Sequence, residues 1–424
     1  MFPPPRFCGG DALPSMPAVL LDLEFAMSSH PAPSPHLSRA TLFAMALASG
    51  LAVANIYYNQ PMLGVMGNSL GDPRVGGWIP TLTQLGYAVG LLFLLPLGDM
   101  LERRRLIVVQ FLVLAAALMV AALAPGLAAL AVASVLVGAA STVAQQIVPF
   151  AAILAAPEKR GAAIGSVMSG LLTGILLSRT LAGVVSSLGG WRTMFWLAVP
   201  IALMGAILMG RSLPAHHPRQ PLRYGQLLAS LGKLWAGEPV LRRAAVTQAL
   251  LFASFSAFWT TLALRLAQPP LNLGAAAAGL FGIVGAVGVA MAPVAGRVAD
   301  RRGPAPVIAL GAVATLAAWA IFGTWSSLWG LVAGVVVLDF GVQIALVSHQ
   351  HVIYGLHPEY KSRLNALFMT VMFVGGALGS LLSSAAWHHY GWAGVSILGG
   401  VLPVGALAVS LLRGRSGRLA HTVQ

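Results

Sequence analysis

The sequence predicts an all-α membrane protein of twelve transmembrane helices, built as two pseudo-symmetric six-helix bundles. Three observations carry this: the composition, the spacing of long apolar stretches, and a constant offset between matching loop residues. Of 424 residues, 58% are hydrophobic and 8% charged, where a soluble chain carries about 25% charged. Mean hydropathy is +0.83. Such a chain has too little polar surface to solvate a globule and is too apolar for disorder. The net charge of +14 could suggest nucleic acid, but the basic residues are too dilute for a binding patch, so that partner is excluded. Cys8 is the only cysteine, which rules out a disulfide framework and a Cys-based metal site.

Residues 1–38 are Pro-rich and irregular, with no basic start leading into a long apolar core, so they do not read as a signal peptide. A disordered tail is expected there, and the first 26 residues read as a gene-start artefact with a natural start near Met27. Crossing the hydrocarbon takes about 20 apolar residues. Such stretches fall at Ala40–Met66, Gly77–Leu97, Leu106–Leu123, Leu127–Ala156, Ala162–Leu188 and Met194–Leu213. They define an N-terminal bundle over residues 39–213. Six more, Ala244–Leu266, Ala275–Ala295, Ala305–Phe322, Ser327–Val352, Leu364–Trp387 and Ala393–Leu412, define a C-terminal bundle over residues 244–413. Residues 214–243 form a central loop, and 414–424 a tail.

With the N-terminus placed inside, 21 of the 25 Lys and Arg residues fall on the cytoplasmic side and three, Arg74, Arg192 and Arg265, on the other. This asymmetry places both termini in the cytoplasm. In the central loop, Leu227, Leu228, Leu231, Leu234 and Trp235 recur at helical spacing beside Arg223 and Lys233. That pattern predicts an interfacial helix on the anionic inner leaflet.

The halves are copies. Asp99 and Asp300, Pro157-Glu158 and Pro358-Glu359, and Gly190-Trp191 and Gly391-Trp392 are each separated by 201 residues. Parallel six-span repeats of this kind place a substrate site at midplane between them.

At these positions the sequence resembles a known family. The run GRVADRRG, Gly296–Gly303, is similar to the cytoplasmic signature loop of the major facilitator superfamily, and LPLGDMLERRR keeps Asp99 and Arg103 in the first half. The first-half copy departs from the pattern with Leu95 and Glu102 in place of glycines. The resemblance implies a cytoplasmic gate formed by Asp99, Arg103, Gly296, Asp300, Arg301 and Gly303. ANIYYNQPML, VPFAAILAAPEKRG and SGLLTGILLSRTLAG resemble a bacterial branch of efflux permeases. That implies a monomer in the bacterial inner membrane, exporting a small organic compound, drug-like or sugar-like, with the proton gradient as its energy source and no cofactor. Drug/proton antiporters of the family often carry an acid in the first span and an Arg in the fourth. Here the first span has no carboxylate and the fourth has Ser134 near that position, so any proton relay is arranged differently.

Two charges lie within spans: Arg179 in the fifth and Asp339 in the tenth. Charges are rare in hydrocarbon and mark pathways or relays. An apolar cavity favours the neutral form of a carboxyl, so Asp339 is expected to carry the coupling proton, with Arg179 tuning it or anchoring an anionic cargo group. A structural pair is the alternative. In the first span Asn55, Tyr57, Tyr58, Asn59 and Gln60 cluster. The cavity candidates are Asn55, Tyr58, Asn59 and Gln60, with Gln84, Gln145, Gln248 and Gln343 from other spans and Trp259, 201 residues beyond Tyr58. Each amide competes with a role as interhelical glue. His349 and His351 point to different faces of one helix, cannot share a metal, and read as membrane-edge residues. No G-K-[ST] phosphate loop and no H-E-x-x-H occurs. Proton-coupled export is thus expected. Proton-driven import of a small, partly anionic metabolite is the alternative, and a membrane sensor or enzyme on a transporter scaffold is the reading from another class.

Overall fold

The computed structural model describes residues 37–217, 224–290, 303–357 and 360–411, the side chains of 287–290 excepted. Met27 and the tail before residue 37, Gly296, Asp300 and Arg301 of the gate, and the tail 414–424 lie outside the described residues.

The described chain is helical throughout. Ten of its helical stretches are long and apolar enough to cross a membrane, and Ala275–Ala290 adds a shorter apolar helix. One of the ten, α14 (Lys361–Leu411), has 51 residues. At 1.5 Å per residue it would run roughly 76 Å, far beyond the ~30 Å of hydrocarbon. Gly391, at φ 62° and ψ −151°, breaks it into two crossings. Its counterpart 201 residues earlier, Gly190, takes φ 79° and separates α7 (Arg160–Gly189) from α8 (Trp191–Ser212). A positive φ suits only glycine without strain, so each half turns back at the same point by the same device. Eleven full-length crossings follow among the described residues, and the shorter apolar helix Ala275–Ala290 stands where the eighth span is expected.

The remaining helices of the first half are α1 (Arg39–Ala54), α2 (Asn59–Leu70), α3 (Val75–Phe93), α4 (Arg103–Leu123), α5 (Leu127–Ser141) and α6 (Val143–Leu154). Those of the second half are α10 (Pro239–Ala267), α11 (Ala275–Ala290), α12 (Pro304–Thr324) and α13 (Leu328–Tyr354). Between the halves lies α9 (Tyr224–Gly237). In hydrocarbon, packing is driven by close contact rather than by the hydrophobic effect. At Gly174 of α7 a Cβ would run into the backbone of Gly50 of α1, whereas Gly165 has open space around it. Gly174→Ala is therefore expected to lower stability by about 1–3 kcal/mol. Gly165→Ala should leave it unchanged or gain up to ~1 kcal/mol. Thermal unfolding followed by size-exclusion chromatography checks the pair, and equal melting points would refute the packing account.

The halves meet along two seams. Gln84 Nε2 of α3 donates to Ser380 Oγ of α14 at 2.9 Å, and Thr81 Oγ1 lies 3.2 Å from the Ala377 carbonyl. Thr180 Oγ1 of α7 donates to the Gly279 carbonyl of α11 at 3.0 Å. Helix α9 departs from the expected interfacial helix. Its apolar residues Leu227 and Leu231 are buried by protein, Leu231 against Leu241, Leu364 and Phe368. Tyr224 donates its hydroxyl hydrogen to the Phe93 carbonyl of the first half.

Glu102, which replaces a pattern glycine, has a structural reason. It stands 201 residues before Gly303, which takes φ 81°, but Glu102 itself has φ −60°. The first-half copy enters its helix through ordinary backbone, so a side chain is allowed, and this one caps α4. It accepts from Arg104 N at 2.9 Å, Arg105 N at 2.8 Å and His216 N at 3.1 Å. Burial works against the charged carboxylate, but these backbone donors outweigh it and hold Glu102 below the usual range.

Candidate functional site

The first span is interrupted between α1 and α2, over residues 55–58. Asn55 turns its Nδ2 back onto the Leu51 and Ala52 carbonyls, at 2.8 and 3.0 Å, an alternative to continuing the helix ladder. Pro61 has no N–H to offer the carbonyl four residues earlier. The break re-aims Tyr57 and Gln60 toward α7.

There Arg179 is 2% exposed. Its Nε donates to Gln60 Oε1 at 2.8 Å. Its Cζ stands 3.9 Å from the centre of the Trp259 ring and 4.7 Å from that of Tyr57, with Phe255 at 5.9 Å. The guanidinium is thus held between aromatic faces from the two halves, α10 supplying Trp259 and the first span Tyr57. Its Nη2 is buried and has no hydrogen-bond partner among the described residues.

Asp339, 5% exposed on α13, accepts from Trp259 Nε1 at 3.4 Å. Its Oδ2 occupies the space a side chain at Gly285 of α11 would take. No direct ion pair joins Asp339 to Arg179. Trp259 contacts both, offering its face to the cation and its N–H to the carboxylate. The gap beside Arg179, bounded by Gln60, Pro61, Arg179, Trp259 and Leu262, leaves no room for a water-sized sphere, so the site is shut in this conformation, and larger cavities lie at the face bearing Arg103.

The remaining candidates divide. Gln60 and Trp259 join Arg179. Asn55 does not touch it in this structure: its Nδ2 is bonded to its own helix end, while its buried Oδ1 has no hydrogen-bond partner among the described residues. Asn59 donates to Thr83 Oγ1 at 3.0 Å, between neighbouring spans. Gln84 ties the halves together, its Oε1 accepting from Ser256 at 3.3 Å. Gln145 donates to Tyr87 Oη at 3.2 Å. Gln248 bonds His349 Nδ1 at 3.0 Å, and His349 is buried. Tyr58 packs in the first-half core, and Gln343 is half-buried. Tyr57 comes from the first-span cluster, and two contributors escape the sequence reading of the cavity: Phe255 and Gly285. Phe255 lies four residues before Trp259, hence on the same helix face. Gly285 belongs to the file Gly279, Gly282, Gly285 at three-residue spacing.

At the basic face, Arg103 Nη2 pairs with Asp99 Oδ1 at 2.8 Å within the first half. A cavity of about 40 Å³ beside them is lined from the other half by Ser362 and Arg363.

Two helical halves enclosing buried charges at mid-span are the architecture of a secondary transporter. Residues 45–304 and 244–422 match the Major Facilitator Superfamily. The chain is 44% identical over 379 residues to the uncharacterized transporter YgaY of Escherichia coli O157:H7, covering 89% of this chain and 96% of that one. It is 33% identical over 372 residues to the transporter SCO4007 of Streptomyces coelicolor, covering 87% and 86%. Among solved structures, that of the peptide transporter POT in complex with sulfate superposes with a TM-score of 0.71 at 15% identity, covering 89% of this chain and 95% of that one; this likeness is one of fold. The chain belongs to the Major Facilitator Superfamily and is a multi-pass membrane transporter rather than an enzyme.

Proposed function

We propose that the chain exports a small organic compound bearing an anionic group, in exchange for protons, across a bacterial inner membrane with both termini in the cytoplasm. The observation that carries this reading is the unpartnered, buried Nη2 of Arg179. A buried donor without a partner costs about 1–3 kcal/mol, more when charged, and a carboxylate or similar anion on the cargo would satisfy it. The rings of Tyr57, Phe255 and Trp259 around it suit an aromatic or apolar body attached to that anion. Asp339 carries the coupling proton. It touches the ring that stacks on Arg179, so its charge state and cargo binding act on the same side chain.

Rocking of the halves separates Trp259 from Arg179, because one belongs to each half, and this opens the shut site. Direction follows from the sign of the cargo. An interior-negative membrane drives a monoanion outward by about 2.3 kcal/mol per 100 mV, and an entering proton adds to that drive.

The experiment is a cargo screen in proteoliposomes with imposed pH and potential gradients. Anionic aromatic compounds are expected to move against a proton flux and faster with a potential negative on the cargo side. Accumulation of cargo in step with protons moving the same way would instead establish import.

A further inference from the structure

A second cavity lies wholly within the C-terminal half, at the face bearing the basic residues and away from Arg179. Helices α10, α12, α13 and the end of α14 bound it, with a volume of about 150 Å³ open to water-sized spheres. Arg243, Thr247, His349 and Ser410 supply its polar lining, and Ile308, Val352 and Val409 are among its apolar lining.

Its depth is set by helix length. Helix α10 has 29 residues, or roughly 43 Å at 1.5 Å per residue, about 13 Å more than the hydrocarbon. With that excess shared by the two ends, Arg243, the fifth residue of α10, stands at the border between headgroups and hydrocarbon, and Thr247 one turn, about 6 Å, deeper. Ile308 and Val352 lie within a turn or so of the same end of their own helices. The cavity thus offers a cation at the headgroup border, a hydroxyl one turn beneath it and apolar walls beside them.

Arg243 is half-buried and takes part in none of the ion pairs among the described residues. The hydroxyl of Thr247, a residue 2% exposed, has no hydrogen bond among them either. Both are donors that an anion with several acceptor oxygens would satisfy. The chain's own continuation is the wrong sign for this site: after Leu411, which lines the cavity, residues 412–424 contain Arg413, Arg415 and Arg418 and no acid. Charge and depth together select the occupant.

We infer that this cavity binds the phosphodiester head of an anionic membrane phospholipid, with Arg243 and Thr247 on the phosphate and an acyl chain along Ile308, Val352 and Val409. Basic pockets between transmembrane helices hold such heads elsewhere by the same pairing of charge and apolar wall. The site is independent of cargo binding at Arg179.

The test uses the purified full-length protein in an equimolar mixture of phosphatidylglycerol and phosphatidylcholine, with retained lipid measured by mass spectrometry. The wild type is expected to retain phosphatidylglycerol preferentially. Arg243→Gln should lower that preference about fivefold, the scale of one basic side chain acting on one anionic head. Arg243→Lys should keep most of it. Ile308→Trp should remove it by filling the cavity with the charge intact, and Arg105→Gln, an exposed arginine on the same face, should leave it unchanged. Undiminished preference in Arg243→Gln overturns the proposal. An equal loss in Arg105→Gln overturns it in favour of diffuse surface charge. Displacement of the lipid by excess inorganic phosphate overturns it in favour of a free-anion site.

Discussion

Replacing Arg179 by Gln is expected to abolish concentrative transport while leaving a folded protein. The amide can still face Gln60, but it carries no charge to stack between Tyr57 and Trp259 or to meet an anionic cargo. Removing one partner of a buried hydrogen-bonded charge pair costs about 2–5 kcal/mol, so cargo affinity should fall roughly 30-fold or more. Arg179→Lys is expected to recover only part of the loss, because an ammonium lacks the planar face that lies 3.9 Å over the indole. Equilibrium binding of the cargo found in the screen reads both variants. An Arg179→Gln protein that binds an anionic cargo with undiminished affinity would remove the basis of the proposed function.

The second large effect is expected at Asp339. Asn at this position mimics the protonated carboxyl at every pH, so the cycle loses its titrating group while the site keeps its shape beside Gly285. One pH unit is worth 1.36 kcal/mol per proton, so the wild type should sustain about tenfold cargo accumulation per unit of gradient for each proton exchanged. Asp339→Asn should show none, and its rate should no longer change with pH. Cargo-for-cargo exchange across the same membrane should persist, since it needs rocking of the halves but no proton. A variant that still accumulates cargo in response to a pH gradient would place the coupling proton elsewhere.

Both experiments concern a site of which the sequence discloses the charges but not the arrangement. Arg179 and Asp339 stand out because nearly every other described charge lies in a loop or at the end of a helix, and a lone charge in a span is costly enough to mark function. Gln60 and Trp259 were among the candidates, one from a polar cluster and one from the 201-residue offset. The same cluster also contained Asn55, and nothing in its spacing tells a residue that faces a neighbouring span from one that folds back on its own helix end. Tyr57 and Tyr58 differ by one position, yet one stacks on the guanidinium and the other is core. Consecutive positions on a helix point about 100° apart, and which of the two directions meets Arg179 is set by how the first span packs against α7.

The helix of the central loop makes the same point. Its leucine spacing implies a buried face, and Leu227 and Leu231 are indeed buried, but by protein where lipid was expected. Periodicity reports that a face is apolar and is silent on what covers it. At Glu102 the reverse holds: a departure from a family pattern is explained once the backbone there is seen to need no glycine.

What the sequence alone determined is the membrane-spanning class, the duplicated halves and the two buried charges. Each follows from sums over local stretches or from comparing the chain with itself: apolar length against bilayer thickness, the distribution of basic residues, one repeated offset. What only the tertiary structure decided is that these charges share Trp259, that the first span breaks to deliver Tyr57 and Gln60, and that Gly285 makes room for the carboxylate. The site is a set of contacts between residues 80 and 119 positions apart. Such contacts depend on how helices rotate and cross, which is set by the packing of many small surfaces at once, and no local pattern in the chain encodes that rotation.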